Sequence, residues 1–242
     1  MGGLRIKNFP KLESVLPRHH DPLASFCHKV LIALYENGTA FDSEIVDFGN
    51  PDSAAALLDR WPVGKIPVLH DRSAGRTIPE TSIIIEYLQA RHPGPVRLLP
   101  DDPDELLQVR LWDRFYDLYV SVPMQKIVTD RIRPAGAQDP HGVAEAKAML
   151  DQAYGMIEAH MQGKLWATGD DFTMADCAAL PGLFFASIVH PFTEEQQALS
   201  SYLERLLQRS SVKRVLSEAQ PYFSMFPYRE AMPARYLQAA VS

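Results

Sequence analysis

The chain has 242 residues, 46% hydrophobic and 22% charged, the balance of an ordinary globular protein of one large or two modest domains. Its net charge of -6 and the lack of a Lys/Arg run argue against a nucleic-acid-binding protein. No stretch approaches the roughly 18 consecutive apolar residues of a membrane span, so no contact with a membrane is expected. The two cysteines, Cys27 and Cys177, cannot form a disulfide framework, which makes a reducing cytoplasm the expected compartment.

After an expected N-terminal extension at residues 1–10, strand and helix patterns alternate along the chain up to residue 92. Asn37-Gly38 is typical of a helix end, because glycine readily adopts the left-handed conformation found there. The predicted elements are a weak strand at 12–16, a helix at 25–35, a strand at 41–46, a short helix or turn at 52–60, strands at 66–69 and 76–78, and a helix at 83–91. This order predicts a compact α/β domain over residues 11–92.

The proline- and aspartate-rich stretch 93–103 is typical of a linker, and the later segments have helical patterns. Asp102 is a strong cap for a helix that Pro123 is expected to kink or end. Thr173 and Asp176 form a capping box for another helix, in which Pro181 is expected to cause a kink. Further helices are predicted at 140–163, 194–208 and 212–219. The second domain is therefore expected to be all-helical over 104–230, followed by a tail at 231–242.

The stretch from Trp61 to Thr81 carries the strongest functional signal. Pro67 lies in an apolar run of strand type, where it fits only at a strand start or a bend, with a cis peptide bond as one option. A bend there leaves the backbone groups of Ile66 free to pair with a peptide-like ligand. Glu80 and Thr81 precede a predicted helix, whose first amide groups can bind a carboxylate. The stretch therefore predicts a pocket for a small charged peptide.

These features, in this order, resemble the cytosolic glutathione S-transferase family over roughly residues 12–220. Residues 64–69 resemble the family's cis-proline segment, Pro79-Glu80-Thr81 its Glu-Ser pair with Thr in place of Ser, and 173–176 its capping motif. The resemblance implies a thioredoxin-like N-terminal domain followed by an all-helical bundle. It also implies a homodimeric, detoxifying enzyme that uses glutathione as a co-substrate and no metal.

The resemblance also assigns glutathione-binding roles to individual residues. Ile66, just before Pro67, would pair through its backbone with the cysteinyl part of glutathione. Glu80 would contact the γ-glutamyl ammonium, Thr81 the γ-glutamyl carboxylate, and Lys65 the glycyl carboxylate. Purely structural interpretations remain open, because Pro67 can simply shape a turn, and Glu80 and Thr81 can simply begin a helix.

A glutathione transferase needs a group that stabilises the thiolate, because the thiolate is the nucleophile. Within residues 22–30, which resemble the family's entry into its first helix, Ala24 holds the position of the usual catalytic Ser or Cys. Ser25 is the nearest hydroxyl and the predicted catalytic residue, although a serine there can also be a plain helix cap. The alternatives are His19, His20 and Cys27, of which Cys27 is more typical of a small buried residue.

A small hydrophobic electrophile is expected to bind between the domains, against the first long helix of the second domain. The predicted pocket residues are Phe115, Tyr116 and Tyr119; Met124, Tyr222, Phe223 and Phe226 are further candidates. Tyr116 and Tyr119 are preferred, because Phe115 shares a helix face that is expected to be core. The histidines fit no standard zinc spacing, so no metal site is predicted.

Three functions remain open from the sequence. The first is conjugation of the glutathione thiolate to a hydrophobic electrophile. The second is a module that binds glutathione or a partner without catalysis, which Ala24 favours. The third is a glutathione-dependent isomerase, dehalogenase or reductase, although the missing first cysteine of a Cys-x-x-Cys pattern weighs against disulfide reduction.

Overall fold

The computed structural model describes residues 12–17 and 23–237, and the side chains of all of these except residues 12–17, 44 and 45. The expected extension at 1–10 and the candidates His19 and His20 lie outside the described residues. Within the described part of the chain, no helix is both long and apolar enough to cross a membrane.

The first unit is a mixed sheet with helices packed against it. Its strands are β1 Leu12–Pro17, β2 Phe41–Val46, β3 Val68–Asp71 and β4 Arg76–Pro79, and its helices are α1 Ser25–Glu36, α2 Pro51–Arg60 and α3 Thr81–Arg91. The strand order is β2-β1-β3-β4, with β1 and β2 parallel and the other neighbours antiparallel. Apolar side chains of α1 and α3 form a buried cluster with Leu69 and Ile78 of β3 and β4. The predicted order of elements is confirmed.

One strand begins later than predicted. β3 starts at Val68 rather than at Ile66, because Pro67 has no N–H to donate to a strand ladder. The peptide bond between Ile66 and Pro67 is cis. The start of the strand thus leaves the segment before Val68 outside the sheet.

The second unit is helical. Its elements are α4 Pro103–Phe115, a π-helical segment Tyr116–Ser121, α5 Val122–Arg131, α6 Pro140–His160, α7 Met174–Val189, α8 Gln197–Leu207, α9 Ser210–Ala219, two 3₁₀ turns at Gln220–Met225 and Arg229–Ala231, and α10 Ala234–Leu237. The predicted cap of α4 is confirmed, since Asp102 accepts from the N–H groups of Asp104 and Glu105 at 3.0 Å. The central helix α7 is buried along almost its whole length.

The capping box of α7 is also confirmed. The Asp176 carboxylate accepts from the N–H of Thr173 at 2.8 Å, and also from the N–H of Ala167 at 2.8 Å and the hydroxyl of Tyr202 at 2.6 Å. Burial raises the pKa of Asp176, while these donors stabilise its ionised form. This one side chain therefore connects α7 to α8 and to the segment before it.

Neither Pro123, which was expected to kink or end its helix, nor Pro181, which was expected to kink its helix, ends the helical path. Pro123 is the second residue of α5, and the helical path continues to Arg131 because the π-helical segment changes the hydrogen-bond pattern just before the residue that lacks an N–H. Likewise, α7 continues through Pro181 to Val189. Next to it, Gly182 lets the π-helical segment approach closely, since a Cβ there would lie 2.8 Å from Ser121 Oγ.

The two units are held firmly against each other. Leu98 and Leu99 of the connecting segment are buried, and the Met174 N–H donates to the Leu98 carbonyl at 2.9 Å. At the other end of the contact, Arg209 Nε donates to Glu36 Oε1 at 2.8 Å. These contacts fix the geometry of the space between the units.

Candidate functional site

A cavity of about 1010 Å³ lies between the two units. The first unit contributes the start of α1 (residues 23–26), the segment 64–67, the start of α3 (residues 80–83), Phe48 and Trp61. The second unit contributes Arg114, Asp117, Leu118, Val122, Met124, Gln125, Val128, Thr129, Ile132, Phe185, Tyr222, Met225, Phe226 and Pro227. The wall from the second unit is therefore mainly apolar, while the wall from the first is rich in backbone and polar groups.

The segment before β3 presents its backbone to the cavity. Ile66 lies outside the sheet, and its N–H and C=O make no backbone hydrogen bond to the described residues. Lys65 is exposed beside it and lines the same cavity. Trp61 begins the stretch singled out in the sequence but was given no role in binding; its Nε1 is buried without a hydrogen-bond partner among the described residues. Its position four residues before Lys65 is the feature of the sequence that could have indicated a place for Trp61 at the site.

The start of α3 is open to a ligand. Glu80 precedes the first helical residue with φ 67° and ψ 120°, in the positive-φ region that non-glycine residues seldom occupy and that is often found at ligand sites. Its side chain does not cap the helix, so within the described residues the first amide groups have no side-chain cap. Thr81 is the first helical residue and is almost fully buried at the cavity wall.

The start of α1 is open in the same way. Ala24 is the capping residue, and it has no side-chain oxygen to cap the helix. Ser25 is the first helical residue rather than the cap, and its Oγ accepts a hydrogen bond from Gln125 Nε2 of α5 at 3.2 Å. That bond occupies a lone pair of Oγ and leaves the hydroxyl proton free to donate. Gln125 was not predicted, because it is 100 residues away in the sequence.

The cysteines take no part in the cavity. Cys27 is buried and does not line it, so the structure does not support Cys27 as an alternative to Ser25. Cys177 is fully buried in α7, as predicted, and burial raises the pKa of its thiol well above the usual value.

The predicted electrophile residues Phe115, Tyr116 and Tyr119 do not line the cavity. Phe115 and Tyr116 are buried in the core of the second unit, and Tyr119, although 45% exposed, does not line the cavity. Phe223 is also buried in that core. The further candidates Met124, Tyr222 and Phe226 do line the cavity. Helical spacing groups residues on a face but does not indicate which face turns to the cavity, and the backbone becomes π-helical from Tyr116 onward.

A charged cluster underlies the cavity where α1, α3 and α4 meet. Lys29 of α1 is fully buried, and its Nζ lies 2.7 Å from Asp113 Oδ1, 2.6 Å from Asp117 Oδ2 and 3.0 Å from Ser82 Oγ. The Ser82 hydroxyl donates to Asp113 Oδ2 at 2.6 Å. Burial raises the pKa of Asp117 to about 6; the charge of Lys29 opposes this shift and that of Asp113 adds to it. Nothing in the sequence by itself indicated that these side chains form a cluster.

Two family models match the chain, and together they cover more than half of it. Residues 24–91 match the N-terminal domain of glutathione S-transferases, and residues 140–209 match the C-terminal domain. The chain is thus a two-domain protein of the glutathione S-transferase fold, with a thioredoxin-like first domain.

Individual known proteins agree with this fold. Glutathione S-transferase-like protein LUC7 of a Fusarium species is 28% identical over 194 residues, which cover 77% of this chain and 86% of that protein. A stringent starvation protein A homolog of Coxiella burnetii is 28% identical over 214 residues, covering 86% and 94%. The structure of a Methylobacterium radiotolerans glutathione S-transferase in complex with glutathione sulfonate is 25% identical, with a TM-score of 0.70 and coverage of 85% and 94%. The chain belongs to the glutathione S-transferase family.

Proposed function

We propose that this protein is a glutathione transferase that joins the glutathione thiolate to a small hydrophobic electrophile in the cavity between its domains. One observation carries the proposal: a single cavity is lined by the open start of α1, the backbone before β3, the open start of α3 and an apolar wall. The first three match the parts of a charged tripeptide, and the fourth matches a hydrophobic second substrate.

In the proposed complex, glutathione extends across the first domain. Thr81 and the amide groups at the start of α3 donate hydrogen bonds to its γ-glutamyl carboxylate. Glu80 accepts a hydrogen bond from the γ-glutamyl ammonium. The backbone of Ile66, set by Pro67, pairs with the cysteinyl residue. Lys65 and Trp61 Nε1, which has no hydrogen-bond partner among the described residues, bind the glycyl carboxylate.

Ser25 would stabilise the thiolate. A free thiol has a pKa of about 8.5, and lowering it by roughly two units requires about 3 kcal/mol. A hydrogen bond to a charged group contributes about 1.5–3 kcal/mol, and the start of α1 adds about 0.3–1 kcal/mol. The Gln125 amide keeps the Ser25 proton available for this bond. The thiolate then attacks the electrophilic atom of a substrate held against the apolar wall, of which Met124, Tyr222 and Phe226 are part.

The test is titration of the protein with glutathione while the ultraviolet absorbance of the thiolate is followed as a function of pH. We expect binding, and a bound thiol pKa at least one unit below about 8.5. Absence of binding at millimolar glutathione would refute every glutathione-dependent function.

A second function is a glutathione- or partner-binding module without catalysis. Ala24 at the family's usual catalytic position favours it, and so does the similarity to a protein named as a stringent starvation protein A homolog. Binding of glutathione with an unshifted thiol pKa would establish this function instead. Isomerase or dehalogenase activity keeps the same thiolate, whereas disulfide reduction is disfavoured because Cys27 lies outside the cavity.

We also propose that the protein acts as a cytoplasmic homodimer. The cytosol supplies reduced glutathione. A face formed by α3 and α4 carries exposed apolar side chains around the ion pair between Arg110 and Glu86. These side chains, which we call the α3–α4 stripe, are Ile83 of α3 and Leu107 and Leu111 of α4. A second copy of the chain would remove them from water, which favours association.

A further inference from the structure

One wall of the cavity is formed by the segment that follows α9. Residues 222–230 of this segment, which we call the C-terminal strap, line the cavity with Tyr222, Met225, Phe226 and Pro227. Phe226 is buried, and its ring centroid lies 5.2 Å from that of Phe185 of α7, which lines the same cavity. The strap is therefore an apolar wall of the space proposed for the hydrophobic substrate.

The strap is anchored to α7 near its start and beyond its end. Phe223 is buried, with its ring centroid 5.9 Å from that of Phe184 of α7. Tyr236 lies edge-on to the same Phe184 ring at 4.9 Å. Between these anchors, the N–H groups of Phe226 and Arg229 donate to carbonyl groups within the strap itself. These backbone bonds shape the strap but do not connect it to α5.

One arginine makes the connection to α5. Arg131 is the last residue of α5, the helix that contributes Val128 and Thr129 to the cavity. Its guanidinium forms an ion pair with Glu230 and lies over the Tyr228 ring, 4.3 Å from the centroid. Both contacts are with the strap, and Arg131 itself does not line the cavity. We call this pair of contacts the Arg131 clamp; it joins two walls of the cavity.

The Arg131 clamp is too weak to decide whether the protein folds. The side chains of Arg131 and Glu230 are 43% and 57% exposed, and an exposed ion pair stabilises a folded protein only slightly. A guanidinium over a partly exposed aromatic ring adds a similarly small amount. Removal of the clamp should therefore leave the buried anchor Phe223 in place and release only the end of the strap.

We propose that Arg131 is a positioning residue that holds the C-terminal strap against α5 and thereby raises the affinity for substrates with long apolar groups. The inference rests on the proposed function, because it concerns the second substrate of the same cavity. An apolar group gains affinity in proportion to the surface that the protein removes from water. A long group needs both the strap and α5 to enclose it, whereas a group of one carbon buries little surface in either case.

The experiment compares the binding of S-hexylglutathione and S-methylglutathione by calorimetry. The ratio of the two affinities isolates the apolar part of the cavity, because the glutathione part is the same in both probes. Arg131→Met keeps an apolar stem and removes the charge. Arg235→Met is the matched control: Arg235 also pairs with a glutamate, Glu204 of α8, and also lies over a tyrosine ring, that of Tyr236 at 4.7 Å. None of these three control residues lines the cavity.

We expect the unaltered protein to bind the hexyl probe at least about tenfold more tightly than the methyl probe. Arg131→Met should lower this ratio about three- to fivefold with the same affinity for the methyl probe, because the lost contacts are exposed. Arg235→Met should leave the ratio unchanged. A ratio that stays the same in Arg131→Met, or falls equally in both variants, overturns the inference and leaves the proposed function intact. No binding of either probe overturns both.

A charge exchange separates the clamp from a general structural role of Arg131. Arg131→Glu and Glu230→Arg each place like charges opposite each other, so each should lower the ratio. The double variant restores an ion pair with the partners exchanged and should recover most of the unaltered ratio. If the double variant binds the hexyl probe as weakly as the single variants do, Arg131 does not act through Glu230 and the inference fails.

Discussion

At the residue scale, the proposed chemistry depends on the orientation of one hydroxyl. Ser25 is not the cap of α1, so its side chain is not used to satisfy the backbone. Instead Gln125 donates to Ser25 Oγ, which sets the direction in which the hydroxyl proton can point. The residue acts as a pair with Gln125, and each domain contributes one member.

Ser25→Ala should raise the pKa of the bound glutathione thiol by at least about one unit, equivalent to about 1.4 kcal/mol of thiolate stabilisation. The physical reason is the loss of the hydroxyl donor, while the start of α1 remains. Ultraviolet titration of the complex measures this shift.

Thr129→Ala is the matched control for Ser25→Ala. Thr129 also lines the cavity, but its hydroxyl already donates to the Gln125 carbonyl at 2.7 Å. It should leave the thiol pKa unchanged. If both variants shift the pKa equally, or neither does, Ser25 has no special role in activating the thiol.

At the element scale, the π-helical segment and α7 pack closely against each other. The segment places Asp117 and Leu118 at the cavity, and it packs against α7 where Gly182 leaves room for Ser121. Gly182 therefore has to be small because a neighbouring helical segment packs against it, and not because its own backbone conformation requires glycine. Gly182 itself does not line the cavity.

Gly182→Ala should lower the free energy of unfolding by about 1–2 kcal/mol, because the added Cβ would lie 2.8 Å from Ser121 Oγ inside a packed core. This loss outweighs the gain of about 1 kcal/mol that alanine brings to a helix. Affinity for glutathione should also fall several-fold as the segment shifts. Urea unfolding and calorimetry measure the two effects.

Gly155→Ala is the control within the same domain. Gly155 lies in α6, and a Cβ there meets nothing within 4 Å. This variant should be about 0.5–1 kcal/mol more stable than the unaltered protein and bind glutathione equally well. Equal stabilisation of both variants would show that the contact at Gly182 does not constrain the π-helical segment.

At the scale of the whole molecule, the exposed α3–α4 stripe predicts the assembly. Leu111→Glu places a charge in the stripe, where Leu111 is 57% exposed, and should convert the proposed dimer to a monomer. Leu165→Glu is the control, because Leu165 is comparably exposed at 50% but lies between α6 and α7, where its carbonyl accepts from Arg205 of α8. Light scattering coupled to size-exclusion chromatography measures the mass. A monomeric unaltered protein, or equal masses for the two variants, contradicts the prediction.

The local features of the fold could be predicted because neighbouring residues cause them. Asp102 caps α4, the capping box of Asp176 begins α7, and Pro67 interrupts a strand through its missing N–H. The pattern of Phe115, Tyr116 and Tyr119 failed for a different reason. Helical spacing indicates which residues share a face, but it does not indicate which face turns to the core.

The sequence by itself determined the order of elements, their caps and the segments that resemble a glutathione site, because each depends on a short run of residues. The tertiary structure alone decided which distant side chains meet. Gln125 reaches Ser25 across 100 residues, and Asp117 reaches Lys29 across 88. Such contacts depend on how the domains dock and on one π-helical turn, and neither has a periodic signal in the chain. The physical reason is that local interactions choose the elements, whereas close packing between elements chooses the neighbours of each side chain.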